Sequence, residues 1–212
     1  MGIELELIDK IKYLGVVIDS NLTWQYQISN IYKNVAPRLN LLRRLKNTLP
    51  QELLIKIYKT YMLPILDYGC TIWGLSSDQN IAKIQKIHNL IGRIITGNFD
   101  FINARGLEIV QKLGWQTFRE RRDYLICNLV FKCIHGMSPN YLSDNFNSLK
   151  DIGIRNTRGS DELNLYTPLP KIEMFRHSLC YAGAQLWNNL PDDIKMCRSI
   201  FSFKKKYKTT IW

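Results

Sequence analysis

The sequence predicts a mainly α protein that begins with a small N-terminal β-hairpin and continues as a helical bundle and a second helical region. Three observations lead to this fold class. Aromatic and β-branched residues cluster in one short run, from Tyr13 to Ile18, as they do in strands. Apolar residues elsewhere recur every three or four positions, which is the period of an amphipathic helix. Hydrophobic residues make up 46% of the chain, enough to build a core.

The strand signal is short and ends in a turn. Gly15 interrupts the apolar run, which we interpret as a bulge or a close backbone approach within one strand. The cluster from Asp19 to Asn21 favours a turn, because short polar side chains hydrogen-bond to nearby backbone groups. Residues 3–7 alternate apolar and acidic, which predicts an edge strand that could pair with the strand containing Tyr13.

The helical patterns follow one another from residue 28 onwards. The first runs from Ile28 to Leu42 and contains Pro37, which predicts a kink or a break because proline lacks a backbone donor and clashes with the preceding turn. Gly97 stands where a helix C-terminal glycine belongs. His88 lies on an apolar stripe, so we interpret it as a core histidine rather than a catalytic one.

We expect three segments along the chain. Residues 1–24 form the hairpin, residues 25–100 form the first helical domain, and residues 101–212 form a C-terminal helical region. The polar stretch from Asp100 to Gly106 is the candidate boundary. The last segment ends in a basic helix, since no acidic residue follows Asp193 while apolar residues keep helical spacing.

The charge balance indicates the class of partner. A net charge of +11 and a pI near 9.5 attract polyanions, so nucleic acid or an acidic membrane surface is the natural partner; the alternative is a basic chain that is merely soluble. Four groups of cations are candidate nucleic-acid contacts. They are Lys33, Arg38, Arg43, Arg44 and Lys46; Arg119 and Arg122; Arg155 and Arg158; and Lys204, Lys205 and Lys206.

The first and last of these groups leave alternatives open. The cations from Lys33 to Lys46 have no acidic residue among them, so they form either a solvated helix surface or a face that follows phosphates. The terminal lysines suit RNA, an acidic lipid surface, or docking of their helix onto the protein body.

Catalytic and metal-binding patterns are missing from the sequence. The five cysteines are scattered without a Cys-x-x-Cys pair, which is typical of reduced, mostly buried thiols in an intracellular compartment. No group of residues has metal-ligand spacing, and we expect no metal or cofactor. Asp192 and Asp193 follow Pro191, which indicates a helix start rather than a metal-binding carboxylate pair. No apolar run is long enough to span a membrane.

Four motifs in order resemble one known family. They are Tyr13-Leu-Gly-Val-Val-Ile-Asp19 with Leu22-Thr-Trp24; Tyr61-Met-Leu-Pro-Ile-Leu-Asp-Tyr-Gly69 with Trp73-Gly74; Arg155-Asn-Thr-Arg158; and Ala184-Gln-Leu-Trp-Asn-Asn-Leu-Pro191. Together they cover nearly the whole chain. Their order and spacing resemble the region after the catalytic palm in reverse transcriptases of non-LTR (LINE-type, jockey-like) retrotransposons.

The resemblance implies a function as well as a fold. It implies that Tyr13 and Gly15 belong to a primer-grip segment, that the helices carrying Lys33 to Lys46 form a thumb, and that the partner is RNA or an RNA–DNA hybrid. The family's metal-binding aspartates lie in the palm, which these residues lack. The chain is therefore expected not to be an enzyme on its own, but to work with the missing palm of a longer chain.

Two other functions remain open at this point. A helical protein-interaction module would account for the richness in tryptophan, because aromatic anchors dominate protein interfaces. The tryptophans that motivate it are Trp73, Trp115, Trp187 and Trp212. A functionless remnant of a transposable element is the third possibility.

Overall fold

The computed structural model describes residues 8–102, 104–150 and 163–212, and the chain divides into two compact units, residues 1–119 and 120–212. The first unit contains strands β1 (Lys10–Tyr13) and β2 (Val16–Asp19) and helices α1 (Gln25–Leu45), α2 (Gln51–Ile57), α3 (Leu63–Asp67), α4 (Cys70–Trp73), α5 (Asp78–Thr96) and α6 (Gly106–Lys112). Helix α7 (Phe118–Ile134) begins at the end of the first unit. The second unit continues with α8 (Asn140–Ser143), α9 (Glu173–Arg176), α10 (Leu179–Asn188), α11 (Asp192–Lys195) and α12 (Ile200–Ile211). The prediction of a mainly α fold with an N-terminal hairpin is confirmed.

The turn of the hairpin lies within the segment that the sequence predicts to be a single strand. Tyr13 on β1 lies opposite Val16 on β2, and the turn between them consists of Leu14 and Gly15 alone. Both turn residues have positive φ, 45° and 84°, as a type I′ turn requires to match the twist of its strands. The prediction of one strand from Tyr13 to Ile18 was therefore wrong, and Gly15 is a turn residue rather than a bulge. The alternative interpretation of Gly15, a close approach of its backbone, is confirmed, because a Cβ there would lie 3.2 Å from Cε1 of Tyr68. The predicted edge strand at residues 3–7 lies outside the described residues.

The hairpin is fixed to the corner between α3 and α4. The Tyr68 hydroxyl donates a hydrogen bond to the carbonyl oxygen of Leu14 at 2.6 Å. Gly69 has φ of 64°, and a Cβ at this position would lie 2.9 Å from Cγ2 of Val16. Only glycine permits both this backbone conformation and this close approach. Val16 therefore packs directly against the backbone that begins α4.

A buried carboxylate connects the hairpin to α1. Asp19 accepts hydrogen bonds from the backbone N–H groups of Thr23 at 2.9 Å and Trp24 at 2.8 Å, and from the Thr23 hydroxyl at 3.1 Å. Burial raises the pKa of Asp19, but these hydrogen bonds favour the charged form and hold its pKa below the ordinary value. Trp24, the residue before α1, has a left-handed backbone that these bonds support.

Helix α1 runs without a break through Pro37, so the predicted break is absent. Its buried face carries Ile28, Ile31, Val35, Leu39 and Leu42, as the apolar spacing predicts. The proline deprives the carbonyl of Lys33 of its backbone partner. Pro37 and Lys33 both lie on the exposed side of the helix. Water can satisfy a carbonyl at that position, so the helix tolerates the proline.

The core of the first unit is built on stacked aromatic rings. The rings of Trp73 and Phe118 stack with centroids 5.5 Å apart, and those of Tyr58 and Trp115 stack at 4.4 Å. His88 is 2% exposed, and its Nδ1 lies 3.3 Å from the Tyr58 hydroxyl oxygen. His88 is thus a core histidine, as predicted.

The core of the second unit joins α7, α10 and α12. Phe131, Trp187 and Phe203 are all buried, with the ring centroids of Phe131 and Phe203 4.7 Å apart. Phe203 and Tyr207 form the buried side of α12, so the predicted amphipathic terminal helix is confirmed. Burial, and secondarily the charge of Asp123, raises the pKa of the Cys127 thiol to about 12, so this thiol stays protonated.

Candidate nucleic-acid interface

Helices α1 and α5 pack side by side in the first unit, and both lack a carboxylate along almost their whole length. No Asp or Glu occurs between Asp19 and Glu52, or between Asp78 and Asp100. Apart from Asp78, which begins α5 and pairs with Arg119, the cations on these two helices have no acidic residue on their own helix. Such a surface attracts anions rather than neutralising itself.

A groove of about 560 Å³ follows the contact between these helices. Helix α1 lines it with Ile28, Ser29, Tyr32 and Lys33, and α5 lines it with Lys83, Lys86, Ile87 and Leu90. The three lysines are exposed, whereas Ile28 and Ile87 are buried at the base. We call this feature the lysine groove. Three ammonium groups above an apolar base are suited to a phosphate chain whose sugars and bases present apolar surface.

The other predicted cations of α1 lie towards its C-terminal end. Arg43 and Arg44 are exposed in the last turn, where the helix dipole favours positive charge. Lys46 directly follows the helix, and its Nζ lies 5.3 Å from the ring centroid of Phe99. The guanidinium of Arg38 lies 4.6 Å from the ring centroid of Tyr61 and donates to the carbonyl of Asn34. Arg38 is thus the most constrained member of the group.

The predicted hairpin residues differ in exposure and position. Tyr13 is 63% exposed at the end of β1. Gly15 lines a second, smaller pocket of about 310 Å³ on the other flank of α1, together with Asn30, Asn34, Tyr68 and other residues. Tyr13 does not line either pocket.

Arg119 and Arg122 already have acidic partners. Arg119 forms an ion pair with Asp78. Arg122 is 9% exposed, and its Nη2 lies 2.6 Å from a carboxylate oxygen of Asp123. A phosphate would have to compete with these carboxylates. Arg155 and Arg158 lie outside the described residues.

The terminal lysines lie on α12 in the second unit. Lys204 and Lys205 are exposed. Lys206 donates to the backbone carbonyl of Asp193 at 2.8 Å, and its Nζ lies 3.2 Å from the carboxylate of the same residue. Lys206 therefore helps to attach α12 to the segment that contains α11.

Lys83 and Lys86 are the groove residues that the sequence analysis missed. They stand three positions apart on α5, in a stretch without acidic residues, which was the same signal that selected the cations of α1. The sequence gives no indication that α5 packs beside α1, and only this packing brings Lys83 and Lys86 near Lys33.

The adjacent carboxylates Asp192 and Asp193 begin α11, as predicted, and each contacts a different lysine. Asp192 lies 3.4 Å from the ammonium of Lys195, and Asp193 contacts Lys206. Within the described ranges, no cluster of three His, Cys, Asp or Glu side chains could hold a metal ion. All five cysteines, which fall in the described part of the chain, are free thiols.

The tryptophans are core residues for the most part. Trp73 is 0%, Trp115 8% and Trp187 2% exposed, so these three do not present anchors to a protein partner. Among the helices that the structure describes, none combines the length and the apolar character needed to cross a bilayer.

Comparison with known proteins shows similarity to retrotransposon polymerases. The chain is 38% identical over 108 residues to a probable RNA-directed DNA polymerase from transposon X-element of Drosophila melanogaster. It is 30% identical over 109 residues to the RNA-directed DNA polymerase from mobile element jockey of the same species. It is 28% identical over 123 residues to a probable RNA-directed DNA polymerase from transposon BS, also of that species.

These matches cover 49%, 49% and 57% of this chain and only 12%, 12% and 13% of the respective relatives. The predicted resemblance to jockey-like polymerases is confirmed over about half of the chain, less than the nearly full span expected from the motifs. No family model matches the chain, and no solved structure matches it.

Proposed function

We propose that this chain is the nucleic-acid-binding, non-catalytic portion of a non-LTR retrotransposon RNA-directed DNA polymerase. In this proposal its first unit acts as a thumb that holds RNA or an RNA–DNA hybrid. Bond formation belongs to a palm located elsewhere in a longer polymerase. The similarity to jockey, X-element and BS polymerases supports the family assignment.

The lysine groove is the observation that carries the binding proposal. Lys33, Lys83 and Lys86 converge from two neighbouring helices, and none of the described residues that line the groove is a carboxylate. None of the ion pairs found among the described residues involves these three lysines, so phosphate is their natural counterion. Lys33 and Arg44 stand eleven residues apart on α1, about 16 Å or three helical turns, so the cationic side extends along the helix.

The second unit contributes in a different way. Lys204 and Lys205 project from a helix whose opposite side is fixed in the core by Phe203 and Tyr207. This arrangement offers cations on a rigid element, and we include both residues as further phosphate contacts. Arg119 and Arg122 are left out of the proposed interface because carboxylates already oppose their charges.

The decisive experiment measures affinity for an RNA–DNA hybrid as a function of salt. In one variant Lys33, Lys83 and Lys86 are replaced by glutamine. The slope of log K against log[salt] is negative, and each lost phosphate contact should reduce its steepness by about 0.9, or about 2.7 for all three. With a difference of that size, the ratio of wild-type affinity to variant affinity changes about 40-fold between 50 and 200 mM salt.

A matched variant controls for the loss of net charge. Lys56, Lys59 and Lys112 are exposed lysines of the same unit that do not line the groove. Replacing these three with glutamine removes the same charge and should change the slope by less than one. The proposal fails if the wild-type affinity does not fall with salt, or if both triple variants reduce the slope equally.

A further inference from the structure

Three apolar side chains are exposed within four residues, directly after α5. Phe99 is 45%, Phe101 71% and Ile102 92% exposed. We call residues 98–102 the aromatic loop. Isolated apolar residues on a surface are ordinary, whereas a cluster of them on one loop is a candidate binding site.

The aromatic loop is held in shape by a buried cation. Arg93 is 5% exposed, and its guanidinium donates to the carbonyls of Asn98 at 3.3 Å, Asp100 at 3.0 Å and Ala104 at 2.6 Å. Two further hydrogen bonds fix the loop: the backbone N–H of Asp100 donates to the side-chain oxygen of Asn98, and the N–H of Ile102 donates to the carboxylate of Asp100. The exposed rings are therefore presented by a backbone whose polar groups are fixed.

The ring of Phe101 has one supported face and one open face. The guanidinium carbon of Arg93 lies 4.3 Å from its centroid, while 71% of the residue remains exposed to solvent. An aromatic ring backed by a cation and open on its other face has the form of a stacking surface for a flat π system. Nucleobases are such systems, and they stack on aromatic side chains without sequence preference.

The aromatic loop lies at one end of the proposed nucleic-acid path. Near the start of α5, Asn80 donates to the carbonyl of Thr23 just before α1, and at the other end Lys46 after α1 contacts Gly97 and Phe99 after α5. The two helices therefore run in the same direction. From Lys33 to Lys46 is thirteen residues, or about 20 Å, which corresponds to about six nucleotide steps.

The local charges favour a base over a phosphate at the loop itself. Asp100 places a carboxylate beside Phe101, which opposes a phosphate there, whereas Arg43, Arg44 and Lys46 lie at the adjacent end of α1. A strand with its backbone on these cations could direct a base towards the ring. A lipid surface would meet the same carboxylate as its anionic headgroups approached.

We propose that the aromatic loop binds an unpaired nucleobase by stacking on Phe101, about six nucleotides from the lysine groove. This inference rests on the proposed function, because the groove must hold the same nucleic acid. Arg93 acts as a positioning residue that supports the ring. The ligand class is a single-stranded extension of an RNA–DNA hybrid.

The test compares three probes: a blunt RNA–DNA hybrid, the same hybrid with a single-stranded extension of about six nucleotides, and that extension made abasic. Phe101→Ala should weaken binding of the extended hybrid by about 5- to 150-fold, the range for losing one stacked base, and leave the blunt hybrid unchanged. Phe101→Tyr retains the ring and should bind like wild type. Tyr141→Ala, at another exposed aromatic residue, should bind all probes normally.

Each other outcome overturns a defined part of the reasoning. If the extension adds no affinity, or if the abasic extension binds equally well, the stacking site is refuted while salt-dependent binding of the blunt hybrid still supports the proposed function. If the blunt hybrid does not bind at all, both are refuted. A third outcome is that the protein sediments with phosphatidylserine vesicles only when Phe101 is present, while Phe101→Ala does not change binding of the extended hybrid. This outcome would assign the loop to a membrane surface instead.

Discussion

Lys195 is a buried ammonium group whose removal should weaken the second unit. Its side chain is 3% exposed, and its Nζ donates to the side-chain oxygen of Asn164 and to the carbonyl oxygen of Asn188, both at 2.9 Å. The carboxylate of Asp192 lies 3.4 Å away. These three acceptors satisfy all three N–H groups of the ammonium, so Lys195 joins α10, α11 and the segment at residue 164.

Replacement of Lys195 with methionine keeps much of the volume and removes the three donors. The carboxylate of Asp192 is half exposed and can return to water, whereas the oxygens of Asn164 and Asn188 lose a partner in partly buried positions. An unsatisfied buried acceptor costs about 1–3 kcal/mol. Because both oxygens are only partly buried, we assign each acceptor the lower end of this range, about 1 kcal/mol. The two acceptors together then lower the free energy of unfolding by about 2 kcal/mol.

Urea unfolding of the whole chain followed by circular dichroism measures this loss. Hydrogen exchange should locate it in peptides that contain α10 to α12, because the bonds of Lys195 lie there. Lys204→Met is the matched control, since Lys204 is exposed on α12 and its change should stay within about 0.5 kcal/mol. If the free energy of unfolding of Lys195→Met also lies within about 0.5 kcal/mol of the wild-type value, the buried hydrogen bonds of Lys195 do not stabilise the second unit as we expect.

Three further predictions concern the first unit. Gly69→Ala should weaken the docking of the hairpin by about 2 kcal/mol, because alanine would have to adopt a left-handed backbone and its Cβ would collide with Val16. Unchanged hydrogen exchange in β1 and β2 would contradict this prediction. The folded pKa of Asp19 lies below its unfolded value, so its charge stabilises the fold above about pH 4 and this contribution is lost as the pH falls through the folded pKa. The stability difference between wild type and Asp19→Asn, from urea unfolding, should shrink as the pH falls below 4; a constant difference would argue against the lowered pKa. Replacing Arg43 and Arg44 with alanine should reduce the salt slope of hybrid binding by up to about 1.8, and an unchanged slope would remove both from the interface.

Local sequence patterns predicted the helices and their buried faces, whereas contacts between residues distant in sequence determine the position of the hairpin turn. The spacing of Ile28, Ile31 and Val35 is sufficient to assign α1 and its buried face. The hairpin turn was missed because a type I′ turn is usually signalled by Asn-Gly. Here Leu14 takes the first turn position, held by a hydrogen bond from Tyr68, 54 residues further along the chain.

Only the α1 side of the lysine groove was predicted, because the α5 side depends on contacts between residues that are distant in sequence. A run of cations without carboxylates identified Lys33 and the end of α1 from sequence alone. The pairing of Arg119 with Asp78 joins residues 41 positions apart, so sequence spacing could not show that its charge is already opposed. Lys83 and Lys86 gain their significance only from the packing of α5 beside α1.

The attachment of the hairpin at Tyr68 and Gly69 has a mechanical consequence. Asp19 ties the same hairpin to Thr23 and Trp24, the two residues just before α1, so both ends of the link at residues 20–24 are anchored. A load applied at Tyr13 would thus be carried into the α3–α4 corner and the start of α1 together, and the short connecting segment would have little freedom to absorb it.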